Sequence, residues 1–419
     1  MTNNQNPRVL VLCQNKVQSF TGGGVVLSNL FQDYPPERLM FIHRDLNYGL
    51  ASSYFECRIT WRWLRPRSMK VLASLSRWLL RLIKAPSGAR ISDLLDIIIQ
   101  NSRVVFPGEI DKILEAFCPE VIYAWTSDSF WTEVLTAAVD SYKVPYAIHF
   151  MDNHVDIKPV RTIDHVLQPA YAQSLSKILD RASFIYVISD SMGRAYQSKF
   201  KKSYEVFHGV IDSSKWSGQV KKKFKPPFKI AFAGSIEHSQ MLGIADIATA
   251  IDALNIAGSS IRFILYITAQ YEERWAEEFK KYGCIEICRH PSYSQLSAAF
   301  GGVDLLVLAY GFDDHTVEYY RYSFATKIVP YMLSGTCILA YGPPEIEPID
   351  YAKRGGWAIV QDERDLNALA QKIFNLTINQ NEFSCLAERA FAVAKNDHDL
   401  YRNAERFRSS LITLKVSNN

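Results

Sequence analysis

No stretch of about eighteen consecutive apolar residues occurs anywhere in the 419-residue chain, so nothing in it reads as a membrane-spanning helix. The first residues, MTNNQNPRVLVLC, lack the long apolar core of a signal peptide, which gives the expectation of a cytoplasmic protein. No C-x-x-C pair is present. The seven cysteines (Cys13, Cys57, Cys118, Cys284, Cys288, Cys337 and Cys385) are scattered, as in a protein of reduced, mostly buried thiols rather than a disulfide scaffold or zinc ribbon. No internal repeat is visible. A net charge of +4 is too small to point to nucleic acid. One absence is local: Cys57 to Ser92 holds no Asp or Glu, yet carries nine Lys and Arg.

What is present is globular, with 48% hydrophobic and 21% charged residues. The length suggests two domains. Short apolar runs predict strands at Arg8–Cys13, Leu39–His43, Val121–Trp125, Tyr146–Phe150 and Phe184–Ile188. Predicted helices alternate with them at about Val25–Phe31, Pro107–Ala116, Ser129–Ser141, Thr162–Asp180 and Asp190–Lys199. Such alternation argues for a parallel sheet. Ser213–Pro227, rich in Lys, Ser and Pro, breaks the rhythm. It then restarts with strands at Lys229–Ala233, Arg262–Ile267, Ile285–Ile287, Asp304–Ala309 and Trp357–Val360. Helices are predicted at Ala245–Ile256, Tyr271–Tyr282, Asp365–Leu376, Glu382–Lys395 and Leu400–Leu414. The expected organisation is a domain over 1–212, a linker over 213–227, a second domain over 228–395 and a last helix within 396–419 that returns to the first domain.

The most telling segment is YYRYSFATKIVPYMLSGTCILAYGP, Tyr319 to Pro343. It reads as a loop, a helix stopped by Gly335, and the buried strand Cys337–Ala340. Ser323, Thr326 and Lys327 fall where the helix begins. Hydroxyls and a lysine at a helix start suit a phosphate. The pattern S-x-x-T-K…Y-x-x-S-G, followed by an apolar strand and Gly-Pro, resembles the donor segment of GT-B glycosyltransferases, in particular the retaining family 4.

The resemblance implies an α/β fold of two Rossmann-like domains facing a central cleft. It implies transfer of a sugar, with retention, from a nucleoside-diphosphate donor to a hydroxyl acceptor such as a glycan or lipid-linked glycan. It further implies that neither cofactor nor metal is required. Asp313-Asp314-His315 is accordingly read as a polar loop and not a metal site. Carried over position by position, the donor contacts are Gly22, Gly23 and Gly24 after the first strand, and Gly234 and Ser235 after the first strand of the second domain. His290 lies in the base-cradling loop, and Ser323, Thr326 and Lys327 follow in the late segment. His149, ending the strand in YAIHF, matches the histidine of "strand-H-D" and is the candidate catalytic residue. Its bland alternative is a satisfied core histidine. Ser189 reads as a helix cap, and Phe207-His208-Gly209-Val210-Ile211-Asp212 matches N-G-V-D with His208 replacing Asn.

The chain departs from that pattern twice. Ser235 to Gly243 holds no Arg or Lys, where relatives carry a pair that neutralises the leaving diphosphate. The positions of the paired glutamates are Tyr322 and Pro330. Some sub-groups carry Ser-x-Pro-x-Lys instead, and Ser323 to Lys327 approximates it, so Lys327 inherits the charge. Two other classes stay open: a nucleotide-sugar epimerase of the same fold, which would need acidic residues around the sugar, and a non-catalytic relative that binds a sugar or a partner, which the two departures allow.

On a helix spanning Lys70 to Lys84, Trp78 joins an apolar side while Lys70, Arg77, Arg81 and Lys84 form a basic one. This suits either an anionic membrane surface or acceptor, or a domain helix with its basic side in water. In the first case the protein is peripheral on the inner face of the membrane.

Overall fold

The computed structural model describes residues 6–13, 22–43, 55–58, 64–66, 102–106, 108–126, 128–156, 164–216, 218, 220, 225–378 and 381–416. The chain forms two units. One runs up to Phe207 and resumes at Ala404; the other is His208–Asn403.

The first unit is built on β1 (Val9–Cys13), β2 (Leu39–His43), β3 (Phe55–Arg58), β6 (Val121–Trp125), β7 (Tyr146–Phe150), β8 (Phe184–Val187) and β9 (Tyr204–Val206). The sheet order is β3-β2-β1-β6-β7-β8-β9, and every pairing is parallel. β1, β2, β6 and β7 are buried along their whole length, which is why they read as continuous apolar runs. Two further strands, β4 (Leu64–Pro66) and β5 (Ser102–Val104), pair antiparallel. The helices are α1 (Gly22–Leu30), α2 (Gly108–Phe117), α3 (Ser129–Tyr142), α4 (Asp164–Arg181) and α5 (Asp190–Phe200). Asp128 caps α3 by accepting from the Trp131 amide, and Ser189 caps α5 by accepting from Met192.

The second unit repeats the theme with β10 (Phe228–Ala233), β11 (Ile261–Ile267), β12 (Ile285–Arg289), β13 (Leu305–Ala309), β14 (Cys337–Tyr341) and β15 (Ile359–Gln361). All its pairings are parallel, in the order β12-β11-β10-β13-β14-β15. Its helices are α6 (His238–Ile256), α7 (Ala269–Phe279), α8 (Leu296–Gly301), α9 (Asp314–Tyr320), α10 (Ile328–Leu333), α11 (Glu347–Gly355), α12 (Leu366–Ile378) and α13 (Asn381–Asp397), with α14 (Leu400–Val416) following. Its core gathers Phe232, Ile247, Phe263, Leu265, Val307 and Leu339.

The chain passes into the second unit just after Phe207, ahead of the boundary expected at Asp212. The reason is visible in the pairing. Ile211 bridges Asp399, its amide donates to the His398 carbonyl, and the Leu400 amide donates back to Ile211. From Ala404 onward, α14 belongs with the first unit. Phe407 meets Phe31 and Phe207, each at 5.1 Å between ring centroids, and Tyr123 and Tyr186, each at 5.5 Å.

Two expectations need correction. The helix expected from about Val25 begins at Gly22, so Gly22–Gly24 open α1 itself. A Cβ on Gly23 would lie 2.0 Å from the Trp125 ring, so glycine is what lets α1 lie against β6. α6 begins at His238 and not at Ala245, because Glu237 and Gln240 close a capping box there. Of the cysteines, Cys13, Cys284 and Cys337 are buried, whereas Cys118 and Cys385 are exposed. Among the described residues no helix is long and apolar enough to cross a membrane.

Candidate functional site

In each sheet the strand order reverses once. In the second unit the reversal lies between β10 and β13, and crevices outside the carboxyl ends of strands at such points are where α/β sheets hold ligands. β10 ends there at Ala233, whose amide donates to the buried Tyr331 hydroxyl at 2.8 Å. Gly234 follows with φ +109°, a conformation that side chains disfavour. Its amide donates to the Tyr266 carbonyl.

Lys327 reaches this turn from the residue preceding α10. Its Nζ lies 3.7 Å from the centroid of the Phe232 ring. It also lies 3.4 Å from where a Cβ on Gly234 would be. No ion pair or hydrogen bond of the ammonium is found among the described residues. The residue is half-buried and its amine is desolvated, which pushes its pKa down from 10.5 to about 7. His290 is in electrostatic reach. Burial lowers its pKa first, and the Lys327 charge adds to the lowering. Its Nδ1–H donates to the Pro291 carbonyl at 2.9 Å.

The structure thus brings Gly234, Lys327 and His290 together. Ser235 and Thr326 are exposed beside them. The Ser323 hydroxyl is buried and donates to the Tyr319 carbonyl at 3.0 Å, which assigns it to holding the loop. α10 is only six residues long and every one is buried. A helix this short supplies little dipole, so charge at this turn comes from Lys327. Phe232 and Tyr331 escaped the sequence reading because each looks like an ordinary core aromatic in an apolar run.

His149 is placed differently. It is fully buried on β7. Its Nε2 lies 3.1 Å from the Phe207 carbonyl, which can only accept, so the proton sits on Nε2. Nδ1 then accepts from the Tyr123 hydroxyl at 2.6 Å. Desolvation drives its pKa down to about 3, so the ring is neutral. Both nitrogens are engaged, and the catalytic expectation for His149 finds no support in these surroundings. At Gly23 the close approach of α1 to Trp125 accounts for the glycine without a ligand. Lys70, Arg77, Trp78, Arg81 and Lys84 lie outside the described residues.

Asp313 caps α9, accepting from the Thr316 amide at 3.0 Å and from its hydroxyl at 2.6 Å. No cluster of three or more His, Cys, Asp or Glu side chains able to hold a metal occurs among the described residues.

No family model matches the sequence, and no curated protein matches it. Solved structures do resemble the chain over nearly its whole length. Sucrose-phosphate synthase from Thermosynechococcus elongatus has a TM-score of 0.67 at 11% identity, over 98% of this chain and 99% of that one. α,α-Trehalose 6-phosphate synthase from Burkholderia multivorans has a TM-score of 0.66 at 12% identity, over 99% and 100%. Anabaena HepE in complex with UDP-glucose has a TM-score of 0.61 at 14% identity, over 97% and 99%. At these identities the likeness is one of fold. The fold class is α/β with two Rossmann-like units, of the GT-B kind.

Proposed function

We propose that this chain is a glycosyltransferase that takes a nucleoside-diphosphate sugar and transfers the sugar to a hydroxyl acceptor. The observation that carries the reading is Lys327, an amine with no anionic partner among the described residues, held over Phe232 at a glycine turn, at the switch point of a parallel sheet. A diphosphate set against it restores the charge and gains a charge-assisted hydrogen bond. Gly234 leaves space for close approach. As the sugar–phosphate bond breaks, negative charge builds on the diphosphate, and a cation already in place stabilises it. UDP-glucose in the structure of HepE supports a nucleotide-sugar as the donor class.

The finer parts of the reading are retention of anomeric configuration, a glycan or lipid-linked acceptor, and attachment to an anionic bilayer through the basic stretch around Arg77 and Lys84. Calorimetric titration with UDP, GDP, ADP and dTDP tests the donor, with one of them binding at micromolar affinity. Incubation with the matching sugar nucleotides then separates transfer from epimerisation without acceptor. Sedimentation with phosphatidylserine vesicles at low and high salt tests the surface: the protein should pellet at low salt only. A protein that binds no nucleoside diphosphate overturns the reading.

A further inference from the structure

A polar aromatic cage stands behind the donor loop. Phe324 immediately follows Ser323 and is buried. Its ring stacks on His208 at 5.2 Å and 24° and on His398 at 5.4 Å and 27°. Tyr351 of α11 meets it edge-on at 5.4 Å. The cage is itself hydrogen-bonded. The Tyr351 hydroxyl lies 2.8 Å from His398 Nε2, and His398 Nδ1 lies 3.0 Å from His208 Nδ1 and 3.2 Å from the Gly209 carbonyl. Two Nδ1 atoms at that separation share one proton, so one ring donates and the other accepts. Tyr351 adjusts as donor or acceptor to match. The His208–His398 pair is thereby held in one mutual orientation.

We infer that His398 and Tyr351 are positioning residues for the donor site, acting through His208 and Phe324 on the loop that carries Ser323, Thr326 and Lys327. The inference rests on Lys327 as a donor ligand and adds what holds it. Lys327 is fixed on its C-terminal side by α10, all of whose residues are buried. On the N-terminal side Phe324 is its anchor, and the Ile328 amide donates to the Ala325 carbonyl between them. An apolar cage would fill the same space. His398 is buried while His208 and Tyr351 are half-buried; a buried imidazole is costly unless its nitrogens are satisfied, and once satisfied such a network selects a single geometry. Small displacements of a binding group are enough to weaken a site.

The test is the affinity for nucleoside diphosphate, using UDP, GDP, ADP and dTDP as probes, in the full chain and four variants. His398→Ala should weaken the best binder by about tenfold or more. His398→Asn keeps a donor where Nδ1 was and should recover affinity to within about threefold of wild type. Tyr351→Phe, a milder change that preserves the fold, should fall between them. Asn255→Ala breaks the pair of hydrogen bonds to Ile261 at the turn after α6 and serves as a destabilised comparator whose affinity stays at the wild-type value. Each is measured equally far below its own melting temperature. Wild-type affinity in both His398→Ala and Tyr351→Phe overturns the inference while leaving the donor reading intact. An equal loss in Asn255→Ala also overturns it, because destabilisation alone then explains the effect. Failure of the wild type to bind any of the four removes the donor reading and this inference with it.

Discussion

The Nζ of Lys327 sits 3.7 Å from the ring centroid of Phe232, over the strand that ends just before Gly234. An aromatic face attracts a cation but does not neutralise it. The amine is therefore held in a fixed place and still receptive to an anion.

Replacing it should show what it does. Lys327→Met keeps the length and removes the charge. Affinity for the preferred nucleoside diphosphate should fall by roughly 1.5–3 kcal/mol, the range for a charge-assisted hydrogen bond. The melting temperature at pH 6 should not fall, since a desolvated charge has been taken away. Calorimetry and a thermal melt read the two effects, and unchanged affinity in a folded variant refutes the assignment.

The same residue sets a pH dependence. The folded-state pKa of about 7 lies below the 10.5 of the free side chain. Between those values the unfolded chain holds a proton that the native ligand-free protein does not, so this residue's contribution to stability rises with pH across that window. Binding a diphosphate favours the protonated amine. Affinity should therefore fall as pH climbs from 7 to 9, where the phosphate charge no longer changes. Titrations at four pH values suffice, and a flat profile in wild type counts against the proposal; Lys327→Met should be flat.

His149→Ala should act on folding. It strands the Tyr123 hydroxyl and the Phe207 carbonyl in the core, at a cost of about 2–4 kcal/mol. Specific activity of the folded fraction should stay within about twofold of wild type. A variant that melts normally but does not turn over would restore the catalytic role. The acid side follows from the same burial. His149 at about 3, and His154 and His398 each at about 4, all sit below the ordinary 6.5. Stability from these three is complete above pH 6.5 and is lost as pH falls towards 4, because the unfolded chain takes up protons first. Denaturant midpoints at pH 7 and pH 5 check the direction.

Gly23→Ala separates packing from ligand contact. Its methyl enters the space of the Trp125 ring, so α1 must shift and stability should drop by about 1–3 kcal/mol. Nucleotide affinity should be unaltered. A stable variant with weakened affinity would return these glycines to the donor site.

Catalysis should survive EDTA. The diphosphate charge is assigned to Lys327, and Asp313 is already engaged by Thr316. Activity that vanishes with chelator and returns with Mg²⁺ would redirect attention to Asp313 and Asp314.

Continuous burial made the parallel strands easy to read: VLVLC, VIYAW and CILAY have no solvent face to encode. Short elements such as β9 and α9 carry too little periodicity to stand out. Lys327 was legible because a charged residue beside Ser and Thr before an apolar run is conspicuous. His149 shows the limit of that approach. Its partners, Tyr123 and Phe207, are far away in sequence, and nothing in YAIHF announces a neighbour able to occupy both nitrogens. The Tyr351–His398–His208 network was hidden for the same reason, since three segments meet only in the folded unit.

The bridge between Ile211 and Asp399 gives the second unit the topology of an inserted cassette. The chain leaves the first unit after Phe207, completes a whole Rossmann-like sheet, and returns at Ala404 from a point beside where it left. Closely spaced ends are what tolerate excision and grafting. A gene encoding residues 208–403 alone should yield a self-standing folded module, and one set of loops at the β10–β13 crevice could be exchanged between hosts without rebuilding the rest.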